Sequence, residues 1–315
     1  MIDVGTRDET PETSGSLLAL KNTYLKTLKH TNETINYGMI QMSGGDMTMD
    51  YDQERTYFKG HCIEYDVTDM FQMMIDIALE PRSVLAANVA RSKNQKSHDL
   101  HNHLTKYDPF ANNQDLLLKT AYGYKTLGMP RLGLESNIAN IDARMLQQFV
   151  MDNITPKKCL IVASGVKNHR EYVELCKERL GDLLAVPEHM YEREKSEYIG
   201  GEYRTWTESP QTNISLAFES VPWSSKDVPA FYVMNTLIGS ATAFSSGGPG
   251  KGMYCRAITN LMQGNTFVDS ASCINSHFTD SGLFGMTIEG PGSHSQELMS
   301  VMLEELNRLK EPIPD

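Results

Sequence analysis

Residues 241–258 read ATAFSSGGPGKGMYCRAI. Four glycines, a proline and a lysine stand between two apolar runs with helical spacing. A glycine-rich loop in that setting suggests phosphate binding, and the residues argue against it. The Walker pattern G-x-x-x-x-G-K-[ST] is met at Gly250-Lys251. Ser245 occupies its first glycine position, and Gly252 replaces the hydroxyl residue that would hold magnesium. A dinucleotide fingerprint needs a strand directly before the loop, but the preceding residues read as helix. What remains is a linker with unusual conformational freedom, flanked by Phe244 and Met253. Such a segment suits an extended peptide better than a nucleotide.

On either side of the loop the chain alternates helices and strands. Residues 227–239 form a helix capped at Asp227, with Pro229 in its first turn. Residues 251–263 are expected to be a second helix, followed by strands at 266–278 and 282–290 and a helix over 293–310. Residues 201–208 and 211–221 read as strands ahead of these. The N-terminal half gives a similar succession. A helix over 16–29, with Ser14 as N-cap, presents Leu17, Leu20, Tyr24 and Leu28 on one face. Strands at 34–43, 46–52 and 55–66 precede a helix over 67–79 capped by Asp66 or Thr68. Further helices are expected at 82–106, 112–122 and 140–152, then a buried strand at 157–165 and a helix at 169–184. Each half has a glycine-bearing strand after a polar turn, which suggests duplication. The chain is read as α+β: two related sandwich halves with antiparallel-rich sheets and helices packed on one face. The division is residues 1–185, a charged linker at 186–200, and residues 201–315.

The 315 residues carry 29 Lys and Arg against 40 Asp and Glu, a net charge of −11, which disfavours nucleic acid as a partner. No run is long and apolar enough to span a membrane. Five cysteines (62, 159, 176, 255 and 273) lack metal-site spacing and read as reduced thiols. His98, His101 and His103 in HDLHNH read as a solvated helix end rather than a metal site. His61, His169 and His277 read as surface or satisfied strand residues.

FSSGGPGKGMYCRAITNLM, HFTDSGLFGM, VGTRDETPETSG and KTAYGYKTLGMPRLG together resemble the α-subunit family of mitochondrial processing peptidases. This family also supplies core subunits of respiratory complex III. It belongs to the pitrilysin-like (inverzincin) zinc peptidases. The resemblance implies that the chain lacks residues at both ends. The wider family binds zinc through H-x-x-E-H on a helix plus a distal glutamate. Here Leu18 and Asn22 stand at the histidine positions, Lys21 stands at the general-base position, and residues 97–112 contain no Glu. The resemblance therefore implies a non-catalytic chain with no cofactor of its own and no catalytic residue. Zinc would sit in a β-type partner subunit. The loop residues Phe244, Ser245, Ser246, Gly247, Gly248, Pro249, Gly250, Lys251, Gly252 and Met253 would bind Arg-rich targeting presequences. Other complex III subunits would be further partners, on the matrix side of the mitochondrial inner membrane; the alternative that the resemblance implies is a purely structural complex III core subunit without peptide handling.

Overall fold

The computed structural model describes residues 1–24, 41–42, 44–79, 109–138, 140–184, 193–206, 209–242 and 254–311. The chain divides into two compact units. One comprises residues 1–107 and 123–194, and the other residues 108–122 and 195–315. Helix Pro109–Tyr122 therefore belongs to the second unit, although it precedes residues 186–200 in the chain.

In the first unit, α1 (Ser16–Thr23) packs beside a hairpin of β1 (Asp46–Tyr51) and β2 (Thr56–His61). The register runs from Asp46 opposite His61 to Tyr51 opposite Thr56. Alternation makes β1 two-sided: Met47, Met49 and Tyr51 are buried, whereas Asp46, Thr48 and Asp50 face water. Asp52 closes the turn by accepting the N–H groups of Glu54 and Arg55, both at 2.8 Å. Leu17, Leu18, Met49, Phe71, Leu146 and Phe149 share one core, into which α2 (Val67–Leu79) and α3 (Ala143–Asn153) deliver their apolar faces. Asp142 caps α3, accepting the Met145 N–H at 2.8 Å. α4 (His169–Leu184) completes this layer, with Tyr172 against Phe71.

Two sequence expectations fail in this unit, and two more cannot be followed in it. Ser14 does not cap α1: Gly15 holds the N-cap position at φ 101°, and the Ser14 hydroxyl is buried without a hydrogen-bond partner. Residues 157–165 form no strand. Cys159 bridges only to Ile2, Leu160 pairs with Met1, and Leu160, Ile161 and Val162 are exposed, because Met1–Asp3 reaches no further along them. The helix expected at 82–106 lies wholly outside the described residues, and so does the strand expected at 34–43 except for residues 41–42.

The second unit is built on one antiparallel sheet, β3 (Gln211–Ser220), β4 (Ser240–Thr242), β5 (Ser270–His277) and β6 (Gly282–Pro291), in the spatial order β3-β6-β5-β4. Gly285 is required at the centre, because a Cβ there would lie 2.0 Å from the Leu216 carbonyl oxygen. One sheet face carries Ile214, Leu216, Ala271, Met286 and Ile288. It is covered by α5 (Val228–Ile238), a π-helical segment (Ala257–Met262) and α6 (Ser295–Arg308). The other face carries hydroxyls and meets helix Pro109–Tyr122, where Asn113 donates to Ser215 at 2.6 Å. A cavity of about 240 Å³ opens there, lined by Ser215, Ser272, Ser276 and Thr287.

Here too the sequence reading needs correction. Residues 201–206 are irregular, with Trp206 exposed. The chain just before them caps the C-terminus of Pro109–Tyr122, since the Ile199 and Gly200 N–H groups both donate to the Ala121 carbonyl. Of the helix expected over 251–263, residues 251–253 lie outside the described residues, and the rest contains a π-wound segment, Ala257–Met262, with the Gln263 N–H bonded to the Ile258 carbonyl. Strand β4 is three residues long and was not anticipated. Among the described residues, no helix is long and apolar enough to cross a membrane.

Candidate functional site

Two places are singled out by the sequence, and each must be judged in its own unit. The first is the exposed side of α1. Leu18 is buried in the core, so nothing at the first histidine position could reach a metal. Lys21, at the base position, places its Nζ 2.9 Å from Asp50 Oδ1 on β1 and 5.8 Å from the Tyr51 ring centroid. Burial works against the Asp50 charge, but the Lys21 hydrogen bond and the Tyr51 N–H outweigh it and hold the carboxyl below its usual range. Asn22 follows on the same helix, half-buried. An ammonium tied to a carboxylate can neither ligate zinc nor take a proton from water, so these residues do not fit the family's metal. Among the described residues, no cluster of three His, Cys, Asp or Glu side chains could hold a metal ion. His98, His101, His103 and most of residues 97–112 lie outside them.

What holds α1 in place is a carboxylate that sequence reasoning missed. Glu9 Oε2 accepts the Gly15 N–H at 2.9 Å and Oε1 accepts the Leu17 N–H at 2.8 Å, closing the start of the helix from outside the usual cap position. Beside it, Asp8 binds the Gly5 N–H and the Arg193 guanidinium, and Arg7 pairs with Glu54. Burial pushes the Glu9 carboxyl up to about 8, against the pull of the Leu17 and Gly15 N–H groups and with a further push from Asp8.

The second place is the glycine loop. Residues 244–253 lie outside the described residues, but both of their shoulders are seen. On the N-terminal side, Gly239 (φ 70°) leads into β4, whose Ser240, Ala241 and Thr242 pair with Ser272, Ala271 and Ser270 of β5. On the C-terminal side, Cys255 packs so closely on Gly239 that a Cβ there would lie 2.5 Å from the Cys255 Cβ. The stretch that follows the loop therefore packs back against the start of β4. Behind that stretch sits Glu305, whose side chain is 0 % exposed. It accepts from Asn260 Nδ2 at 2.9 Å, pairs with Arg308 at 3.2 Å, and faces Arg256 Nη1 at 3.5 Å. The signal for it was legible. Leu298, Met302 and Glu305 fall at i, i+4 and i+7 on the buried face of α6, so an acid stands where an apolar residue belongs.

Of the histidines, His61 and His169 are exposed. His277 is buried in β5, with Nδ1 2.8 Å from the Val221 carbonyl and the ring among Trp223, Phe231 and Tyr232. The five cysteines are free and half-buried. Burial pushes the thiols of Cys159 and Cys273 up to about 11 and about 12, which suits packing rather than reactivity.

Comparison with known proteins bears on both places. Residues 140–315 match the sequence model of a family described as "Peptidase M16 inactive domain". The mitochondrial-processing peptidase subunit alpha of Solanum tuberosum is 27 % identical over 317 residues, covering 99 % of this chain and 61 % of that protein. A probable subunit alpha-2 of Arabidopsis thaliana is 28 % identical over 290 residues, covering 90 % of this chain and 56 % of its own length. A probable subunit beta from the same plant is 24 % identical over 318 residues, or 59 % of its length. The chain thus spans about three fifths of the relatives it matches. With more than half of its length matched and antiparallel sheets layered with helices, the chain belongs to the peptidase M16 family, and residues 140–315 are that family's inactive domain.

Proposed function

We propose that this chain acts as a non-catalytic α-type subunit of a mitochondrial processing peptidase. It binds targeting presequences through residues 244–253 and passes them to a zinc-bearing β-type partner. The observation that carries the reading is Lys21: the general-base position holds an ammonium paired with Asp50, so peptide hydrolysis belongs to another subunit. The relatives named as α subunits support that assignment, and the relative named as a β subunit indicates the kind of partner. The return of Cys255 to Gly239, at the start of β4, supports peptide handling, since it ties the stretch after the loop to the strand before it. A net charge of −11 favours encounter with Arg-rich peptides. The location that goes with this role is the mitochondrial matrix face of the inner membrane, and a core-subunit role in respiratory complex III is part of the same proposal. Residues 1–185 and 201–315 would be its two M16-type domains, joined through 186–200, with helix Pro109–Tyr122 belonging to the second.

The test is reconstitution with a β-type subunit. Deleting residues 245–252 should weaken binding of a fluorescent Arg-rich presequence at least tenfold while the two chains still co-elute. Cleavage should be lost to a chelator and restored by zinc, with no zinc retained by this chain alone. Unchanged presequence affinity after the deletion overturns peptide handling. Recovery with cytochromes b and c supports the complex III role, and their absence from the purified assembly removes it.

A further inference from the structure

Helix Pro109–Tyr122 covers a sheet face that carries hydroxyls, whereas a sheet face under a helix is ordinarily apolar. The register sets Ser215, Thr287 and Ser272 side by side across β3, β6 and β5. The next row on the same face is Ala217, Gly285 and Ile274, so little side-chain bulk fills the space beside the hydroxyls. The result is the cavity of about 240 Å³, with Asn113 and Leu117 on the helix side and Gln114 exposed at its edge. A water takes up about 30 Å³ in the liquid, so the space exceeds one bridging water several times over.

The hydrogen-bonding capacity of this wall is only partly used. Asn113 Nδ2 donates both of its hydrogens, one to Asn213 Oδ1 and one to Ser215 Oγ, the latter at 2.6 Å. Ser215 and Thr287 share one hydroxyl–hydroxyl bond of 2.7 Å. Two hydroxyl protons with one bond between them leave one proton over. Both residues line the cavity, and Thr287 is only 6 % exposed. Asn113 Oδ1 remains beside them as an acceptor. The side chains of Gln114, Ser272 and Ser276 have no hydrogen-bond partner either. Among the described residues that line the space, none is charged, and Leu117 and Ile274 add apolar surface. A donor and an acceptor therefore stand together on a neutral wall that Asn213 holds in place.

We propose that this cavity binds a small molecule carrying an uncharged carboxamide. The carbonyl accepts the spare hydroxyl proton of the Ser215–Thr287 pair, the N–H donates to Asn113 Oδ1, and the alkyl part lies against Leu117 and Ile274. A carboxylate or an ammonium would lose its hydration there with no counter-charge to replace it.

The test is ligand-observed NMR on the purified full chain, with butyramide as the probe and butyrate and D-glucose as controls. Butyramide should bind with a millimolar Kd, and neither control should bind at the same concentration. Thr287→Val keeps the shape and removes the hydroxyl, and should raise Kd about five- to tenfold, whereas Thr287→Ser should stay within about twofold of the parent. Ser272→Leu, at a half-buried position, narrows the space and should abolish binding; it decides the matter if Thr287→Val does not fold. Absence of butyramide binding overturns the proposal and leaves a hydrated cavity. Unchanged affinity in either folded variant overturns it too, because the ligand then sits elsewhere. Equally strong binding of butyrate or D-glucose overturns the carboxamide assignment.

Discussion

Among the carboxylates that each unit buries, Glu9 in the first and Glu305 in the second are satisfied in opposite ways. Glu9 is held by backbone N–H groups at the start of α1, with Asp8 nearby pushing against its charge. Glu305 is held by side chains: one amide and two guanidinium groups. Backbone N–H groups close a helix start, whereas guanidinium and amide groups tie a carboxylate to side chains of neighbouring segments. The same residue type therefore yields a pH-dependent helix start in one unit and a side-chain cluster in the other.

The strongest way to break the comparison is Glu305→Leu. It strands Arg256 in a buried place and should cost about 3–5 kcal/mol in denaturant unfolding of the second unit. A loss below about 1 kcal/mol would mean that Arg256 finds water instead. Next comes pH. The folded-state value for Glu9 is raised, so the folded chain holds its proton longer than the unfolded one. Its contribution is full below the unfolded value and is lost as pH climbs through about 8. Stability of the first unit should fall by about 2–3 kcal/mol between pH 5 and pH 7, read from urea midpoints. Glu9→Gln sharpens the contrast. It should flatten that slope and cost about 1 kcal/mol at pH 5 for the weakened cap. The smallest effect is expected at Lys21→Met. The Lys21–Asp50 pair is 40 % and 57 % exposed, so its loss should change stability by less than about 0.5 kcal/mol.

The two carboxylates also show what could be read in advance. Glu305 stood in plain sight as an acid in an apolar i, i+4, i+7 series. Glu9 did not, because capping rules look to the residue beside the helix, and Glu9 reaches Gly15 across a turn. Strand β1 was legible because its alternation is complete, with Met47, Met49 and Tyr51 inward. Residues 157–165 carried equally strand-like residues, yet Leu160–Val162 stayed exposed, since composition does not supply a pairing neighbour. The glycine loop lies outside the described residues, and the contact that follows it was not legible. That depends on Gly239 meeting Cys255, sixteen residues apart in sequence and brought together only by the sheet.

The Lys21–Asp50 contact has a consequence for any attempt to rebuild an active enzyme. Writing His, Glu and His back into positions 18, 21 and 22 would set a new carboxylate against Asp50, where two negative charges would compete for one proton. It would also push an imidazole into the space Leu18 fills in the core. The departure from the zinc motif is therefore built into the neighbours of the helix as well as the helix itself, and restoring the missing letters would leave the surrounding sentence unreadable.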